Sequence, residues 1–324
     1  MSARPRVLLT RRWTDEAERR LASRFDVTRN EADVPMSADA LAQAMRDYDA
    51  ICPTVTDSIT AAILGTEGRR VKLIGNFGVG YNHIDVAAAG KLGIRVSNTP
   101  DVLTDTTADL AILLMLMTTR RAGEGERELR GGRWTGWRPT HMMGLGLQDK
   151  TLGLIGYGRI AQATARRAHH GFGMRIVYNS RRRVEQSIEV QCAARFIDTV
   201  DELVATSDVI SLHCPGGAQT HHLINAERLR LMKSSAVLVN TARGTVVDEA
   251  ALAQALASGT IAAAGLDVFE REPVVNPALL ALENVVLLPH LGSATLETRT
   301  AMGLRVAENL EAFFDGKPLR DPVV

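Results

Sequence analysis

A glycine-rich turn between an apolar run and a helix-forming segment is the first place where residue types and spacing in this chain point to chemistry. Thr151–Ile155 is short and apolar, Gly156-Tyr157-Gly158 follows at once, and Arg159–His170 has helical composition before a second apolar run, Met174–Tyr178. The order strand, tight turn, helix, strand gives each small residue its own task. Gly156 permits the sharp turn, Gly158 lets the backbone approach a pyrophosphate, and Ala161 stands where a third small residue lets helix pack on strand. The helix N-terminus then faces the phosphates. About twenty residues past the glycines, an acidic side chain would accept from a ribose 2′-hydroxyl. The sequence there reads Asn179-Ser180-Arg181-Arg182-Arg183. A carboxylate would repel a 2′-phosphate, whereas a hydroxyl and a guanidinium fork bind one. NADP(H) is therefore the preferred dinucleotide and NAD(H) the second choice. The competing reading of the arginines is a solvated basic loop.

Three more polar residues stand where later apolar runs end. Arg243 lies in Asn240-Thr241-Ala242-Arg243-Gly244, Glu272 follows Leu266-Asp267-Val268-Phe269-Glu270-Arg271, and His290 lies in Leu288-Pro289-His290-Leu291-Gly292-Ser293. Singly, each has a bland reading: Arg243 as a helix-end cap, Glu272 as a solvated acid, His290 as a satisfied histidine at a hinge. Strand ends of one wound sheet, however, all point to the rim that holds a dinucleotide. Among the other histidines, His169-His170 and His221-His222 lie in polar helix or loop contexts without metal-ligand spacing and His141 falls in the Gly-, Arg- and Trp-rich stretch, so no metal site is expected.

These residues require a scaffold that brings strand ends together, and the pattern supplies it. Arg6–Thr10, Ala50–Thr54, Val71–Asn76 and Ile94–Asn98 read as buried strands. Asp15–Phe25, Ser37–Arg46, Ile59–Leu64 and Asp85–Lys91 read as helices between them, with Ser37 a possible cap. Strands alternating with helices imply a parallel, wound sheet. Residues 1–100 thus form an α/β domain without a dinucleotide fingerprint. Its loop Asn76-Phe77-Gly78-Val79-Gly80-Tyr81-Asn82-His83-Ile84-Asp85 ends the third strand, where glycines expose backbone N–H groups to an anion. Val79 and Gly80 are candidate substrate contacts, and a plain tight turn explains the glycines nearly as well. Asn98-Thr99-Pro100-Asp101 is a turn and a candidate hinge. The following helix, 102–120, is apolar nearly all round and is expected to be buried between domains or subunits. A Gly-, Arg- and Trp-rich stretch, 123–146, is expected to be irregular and either functional or at an interface. Asp208–Cys214, Ala236–Thr241, Ile261–Val268 and Asn284–Pro289 complete a second sheet. Thr295–Phe314 reads as a helix returning to the first domain. The expected domains are 1–100 with 291–324, and 101–290.

Length and composition agree with two domains. The chain has 324 residues, 45% of them hydrophobic, and a formal net charge of +1. That charge gives no field for nucleic acid or an anionic membrane. The longest apolar run, Leu110–Met117, is too short to cross a bilayer, and the N-terminus has too short an apolar core for a secretory signal. Cys52, Cys192 and Cys214 are far apart, and Cys52 and Cys214 end apolar runs. They read as reduced core thiols, and the expected compartment is the cytoplasm.

The chain resembles the D-isomer-specific 2-hydroxyacid dehydrogenase family, and within it the glyoxylate/hydroxypyruvate reductase branch. The resemblance is carried by 78–85, 153–161, 240–247, 263–270 with Glu272-Pro273, and 288–293, in the right order along nearly the whole chain. It implies two Rossmann-like, doubly wound parallel-sheet α/β domains, one flavodoxin-like and one NAD(P)-binding, with a cleft between them that closes over a 2-oxoacid. It further implies a catalytic triad of Arg243, Glu272 and His290. His290 would donate a proton to the keto oxygen, Glu272 would orient the ring and favour its charged form, and Arg243 would grip the carboxylate. Amides of Val79 and Gly80 would hold that carboxylate from the other domain, so substrate contacts are Val79, Gly80, Arg243 and His290. Cofactor contacts fall to Thr104, Gly156, Gly158, Arg159, Ile160, Ser180, Arg181, Arg182, Cys214, Pro215, Thr241, Ala242, Arg243, Asp267, His290 and Gly292. Asp267 would accept from the nicotinamide carboxamide. Residues 134–147 resemble the dimer-forming segment of that branch, with Trp137 either reaching the partner's substrate pocket or packing in the interface. The implied assembly is a homodimer through the cofactor domain. Two alternatives keep the fold: a dehydrogenase for a bulkier or phosphorylated 2-ketoacid, and a nucleotide-sensing corepressor-like module.

Overall fold

Short apolar runs become strands where helices cover both of their faces, and this explains most of the N-terminal part of the chain. The computed structural model describes residues 4–324. It contains β1 (Arg6–Leu9), β2 (Asp26–Arg29), β3 (Ala50–Cys52), β4 (Leu73–Gly75) and β5 (Arg95–Ser97). All pair in parallel in the order β2-β1-β3-β4-β5, the flavodoxin-like winding that reverses between β1 and β3. Leu8, Ile51, Ile74 and Val96 fill the core on one face, and Val7, Leu9, Ala50 and Leu73 that on the other.

Helix starts are set by side-chain caps. The Ser37 hydroxyl accepts from Ala40 N at 3.2 Å ahead of helix Ala38–Asp47, and Asp85 accepts from Ala88 N at 2.9 Å ahead of Val86–Lys91. The final helix, Leu296–Phe314, starts from a Thr295 cap and packs on Asp15–Arg24. A Cβ at Gly303 would stand 2.5 Å from that of Ala17, so glycine allows the close crossing, and Arg20 clamps Glu311 with two 2.8 Å bonds. One unit is therefore the chain up to Leu103 together with Ser293–Val324; the other is Thr104–Gly292.

The second unit carries β6 (Thr151–Ile155), β7 (Arg175–Asn179), β8 (Arg195–Phe196), β9 (Val209–Leu212), β10 (Val237–Asn240), β11 (Ala263–Leu266) and β12 (Val285–Leu287). The sheet is parallel throughout, in the order β12-β11-β10-β9-β6-β7-β8, and it reverses between β6 and β9. Neighbouring Leu154 and Ile155 belong to the cores on opposite faces. Helix Thr104–Thr119 covers one face beside helix Arg159–Phe172. A Cβ at Gly265 of β11 would stand 2.7 Å from Thr118 Oγ1, so the missing side chain lets this helix lie close on the sheet.

Three elements depart from the sequence reading. The edge strand β2 is Asp-Val-Thr-Arg and mostly exposed, so no apolar run announces it. The edge strand β8 has two residues. The stretch expected to be irregular opens with helix Ala122–Arg130, which contains two glycines and buries no residue. After it the chain runs to β6 without a helix or strand, exposing Trp134, Met143 and Trp137, the last at 81%. Among the described residues no helix is long and apolar enough to cross a membrane, and no group of three or more His, Cys, Asp or Glu is placed to hold a metal ion.

Candidate active site

The turn after β6 shows why its glycines are there. Gly156 adopts φ +85°, and a Cβ on it would stand 2.8 Å from Cys214 N and from the His213 carbonyl, so only glycine lets this turn approach the end of β9. Gly158 is the N-cap of helix Arg159–Phe172, which no side chain caps, and a Cβ at Gly158 would meet nothing within 4 Å. The helix start thus offers backbone N–H groups and room for an anion at its positive end. Ala161 is fully buried, whereas Arg159 is exposed and Ile160 half-buried. At the end of β10 the Thr241 hydroxyl is buried with no hydrogen-bond partner among the described residues. An open helix start, a glycine cradle and an orphaned buried hydroxyl along adjacent strand ends fit a dinucleotide. Cys214 is buried, and burial pushes its thiol up to about 11, while Pro215 beside it is exposed.

At the end of β7, the structure separates the basic residues. Arg183 is held by Glu189 through bonds of 2.9 and 2.8 Å, and Glu189 also accepts from the buried Tyr178 hydroxyl at 2.7 Å. The Arg183 bond, then that of Tyr178, holds the Glu189 carboxyl at about 2 against the opposing effect of burial. Arg183 is therefore a structural clamp, a pairing across six residues that the basic run concealed. Asn179 is likewise engaged, donating to Ile197 O and Asp198 O at 2.8 and 3.1 Å. Arg181 and Arg182 are exposed and form no ion pair among the described residues. The Ser180 hydroxyl donates to Arg182 O at 2.6 Å, so it must rotate before it can donate to a phosphate.

Arg243, Glu272 and His290 come together at one rim of the seven-stranded sheet. Buried Asn240 ends β10, accepts from Ala242 N at 2.9 Å and donates to Arg243 O at 3.0 Å, and this local turn presents Arg243. Gly216 makes room for the arginine stem, since a Cβ there would stand 2.9 Å from Arg243 Cγ. Burial lowers the guanidinium's hold on its proton and the Glu272 charge opposes this, in a group that stays cationic throughout the working range of proteins. Glu272 Oε1 accepts from Phe269 N at 3.0 Å and Oε2 lies 2.8 Å from His290 Nδ1. An ionised carboxylate only accepts, so Nδ1 carries the hydrogen and Nε2 is left for a reacting oxygen. Burial works against the Glu272 charge, yet the bond and charge of His290, the Phe269 amide and Arg243 outweigh it and keep the carboxyl below its usual range. The two side chains are 30% and 33% exposed, within reach of a ligand.

His290 adopts φ +54°, and its N–H donates to Asp267 O at 2.9 Å. Asp267 is 1% exposed and accepts from Leu291 N at 2.6 Å and Gly292 N at 2.9 Å. It fixes the loop that presents the imidazole, and one lone pair on each oxygen remains for a carboxamide. Burial raises its carboxyl to about 6, opposed by the two amides and the His290 charge and assisted by Glu272. Thr104 opens helix Thr104–Thr119, and one turn later Thr107 donates to Gly292 O at 3.0 Å. Thr107 was not singled out by the sequence, because a threonine within an apolar helix carries no local sign of a contact 185 residues away.

In the other unit, Asn76 donates to Gly78 O at 2.9 Å and Gly80 O at 3.0 Å, and Asn98 donates to Val79 O at 2.8 Å. The loop carbonyls are thus pinned, while the amides of Val79 and Gly80 meet no acceptor among the described residues.

A family model described as D-isomer specific 2-hydroxyacid dehydrogenase, NAD binding domain, matches residues 112–292. Fold and site define an NAD(P)-dependent oxidoreductase, and the chain belongs to the D-isomer-specific 2-hydroxyacid dehydrogenase family. Within that family it falls in the glyoxylate reductase branch, being 44% identical to a glyoxylate reductase of Thermococcus onnurineus (strain NA1) over 318 residues, 97% of this chain and 94% of that one. Among solved structures, the NADPH-dependent glyoxylate/hydroxypyruvate reductase of Sinorhizobium meliloti, in complex with NADP and malonate, is 39% identical with a TM-score of 0.88, covering 99% of this chain and 97% of that one. The holo D-mandelate dehydrogenase of Rhodotorula graminis is 31% identical with a TM-score of 0.87, covering 99% and 98%.

Proposed function

We propose that this protein reduces glyoxylate to achiral glycolate, and hydroxypyruvate to its D-2-hydroxy acid, with NADPH in preference to NADH. The observation carrying the reading is the 2.8 Å bond between His290 Nδ1 and Glu272 Oε2, in a site where Arg243 supplies a half-buried cation. When bound, the nicotinamide supplies the hydride. His290 donates the proton from Nε2 to the keto oxygen, Glu272 fixes the ring and balances the imidazolium, and Arg243 grips the substrate carboxylate and draws charge onto the carbonyl. The reading assigns the remaining contacts to Val79 and Gly80 for the carboxylate, to Thr104, Arg159, Ile160, Pro215, Ala242 and Gly292 beside the glycine turn for the dinucleotide, and to Arg181 and Arg182 for the 2′-phosphate. The name of the Sinorhizobium meliloti relative supports the choice of NADPH and of these acids.

The second reading, a bulkier 2-ketoacid, is favoured by the likeness to D-mandelate dehydrogenase, whose substrate carries a phenyl ring. Steady-state rates with glyoxylate, hydroxypyruvate, pyruvate and phenylpyruvate, each with NADPH and NADH, decide between them. Highest kcat/KM for glyoxylate or hydroxypyruvate with NADPH supports the proposal; highest kcat/KM for phenylpyruvate, or for NADH, contradicts it. The reading includes a homodimer formed through the 134–147 stretch, where Trp134, Trp137 and Met143 are exposed, checked by solution mass with wild type and Trp137→Ala, and a cytoplasmic location matching three free, buried thiols.

A further inference from the structure

Beside the His290–Glu272 pair lies a second histidine–carboxylate pair. The ring of His222 donates from Nε2 to Glu270 Oε1, and its backbone N–H donates to Thr245 O at 2.8 Å. Thr245 is two residues past Arg243, and Glu270 is two residues before Glu272. One residue therefore holds both segments that carry the proposed anchor and the proposed ring partner.

The surroundings leave those segments little other freedom. A side chain at Gly244 would overlap the backbone of Phe269 and Glu270, so the two chains touch between the two functional residues. Glu270 N donates to Glu249 Oε1 at 2.7 Å, and Ile224 N donates to Val246 O at 2.9 Å. Other ionisable groups facing the His222 ring are His221, stacked at 4.0 Å, and Asp248, whose Oδ2 lies 4.0 Å from Nδ1. His222 itself adopts φ +48°, an uncommon conformation for a side-chain-bearing residue, held here by bonds from both its backbone and its ring.

We infer that His222 is a positioning residue which, through Glu270 and Thr245, fixes the Arg243 guanidinium relative to the Glu272–His290 pair. The inference rests on the proposed roles of those three residues. The His222–Glu270 pair touches no reacting atom; its effect is on geometry, where about 1 Å of misplacement lowers rate by about 100-fold.

The test compares wild type, His222→Ala, Glu270→Ala, the double variant and His222→Gln, with the best 2-oxoacid of the substrate panel, and measures NADPH Kd by fluorescence titration. Each alanine variant should lower kcat/KM by about 10- to 100-fold with NADPH Kd unchanged. The double variant should lose little more than the worse single one, because both remove the same interaction. His222→Gln should recover most of the loss, since its amide keeps a donor for Glu270. Wild-type kcat/KM in His222→Ala, multiplying losses, no recovery in His222→Gln, or an equal loss of NADPH binding would overturn the inference. If His222→Ala does not fold, Glu270→Ala alone decides on the same criterion. Wild-type protein that turns over no 2-oxoacid sinks the proposed function and this inference together, whereas an active wild type with an unimpaired His222→Ala sinks the inference alone.

Discussion

Replacing Gly156 by alanine tests the phosphate turn by two effects of known size. At φ +85° a Cβ clashes with its own peptide, a left-handed strain of about 1 to 2 kcal/mol. The added carbon would also stand 2.8 Å from Cys214 N and the His213 carbonyl, so the turn must open by about 0.6 Å to reach ordinary contact. Overpacking of that kind costs about 1 to 3 kcal/mol. The combined loss of about 2 to 5 kcal/mol, in a unit of this length, corresponds to a fall in Tm of about 4 to 20 °C. The same displacement moves the start of helix Arg159–Phe172, where the pyrophosphate is proposed to sit, so NADPH Kd should rise at least about tenfold. Differential scanning calorimetry and fluorescence titration read the two effects separately. A Gly156→Ala protein with wild-type Tm and wild-type NADPH Kd would refute both the steric argument and the placement of the dinucleotide.

Arg181→Asp should raise the KM for NADPH by about 10- to 100-fold, the value of a charge-assisted bond, and leave that for NADH nearly unchanged; an unaltered NADPH/NADH ratio of kcat/KM would return Arg181 to the solvated loop. Glu189→Gln should lower stability in urea titrations at neutral pH. The Glu189 pKa is depressed in the folded protein, so its contribution is complete above the ordinary value of 4.5 and disappears as the pH falls through about 2; a gap between variant and wild type that widens toward low pH would contradict this. Burial raises the thiols of Cys52, Cys192 and Cys214, so none should react with a disulfide reagent at pH 8 in the native protein, and all three should react after denaturation; rapid labelling of folded protein would count against their burial.

What the sequence made legible is what it encodes locally. Gly156, Gly158 and Ala161 act within one strand-turn-helix unit, and Ser37 and Thr295 cap the helices they precede. Arg243, Glu272 and His290 could be joined as candidates only because each follows a recognisable apolar run and the family resemblance linked them; taken singly, a cap, a solvated acid and a hinge histidine were the favoured readings. The hidden features are pairings across the chain. His222 reads as one of two adjacent loop histidines until the structure sets it against Glu270, 48 residues on. Arg183 reads as the third of three alike until Glu189 claims it. The strands β2 and β8 were missed because edge strands need no apolar face, and helix Ala122–Arg130 because its glycines argue against a helix.

The most direct test of the central claim is kcat/KM for glyoxylate with NADPH in His290→Ala relative to wild type, at a pH where both are folded. An imidazole that donates the proton from Nε2 while Glu272 holds Nδ1 predicts a loss of about 100- to 10,000-fold, with NADPH binding retained. A folded variant keeping near wild-type kcat/KM would show that the proton comes from elsewhere and that this histidine is not the acid.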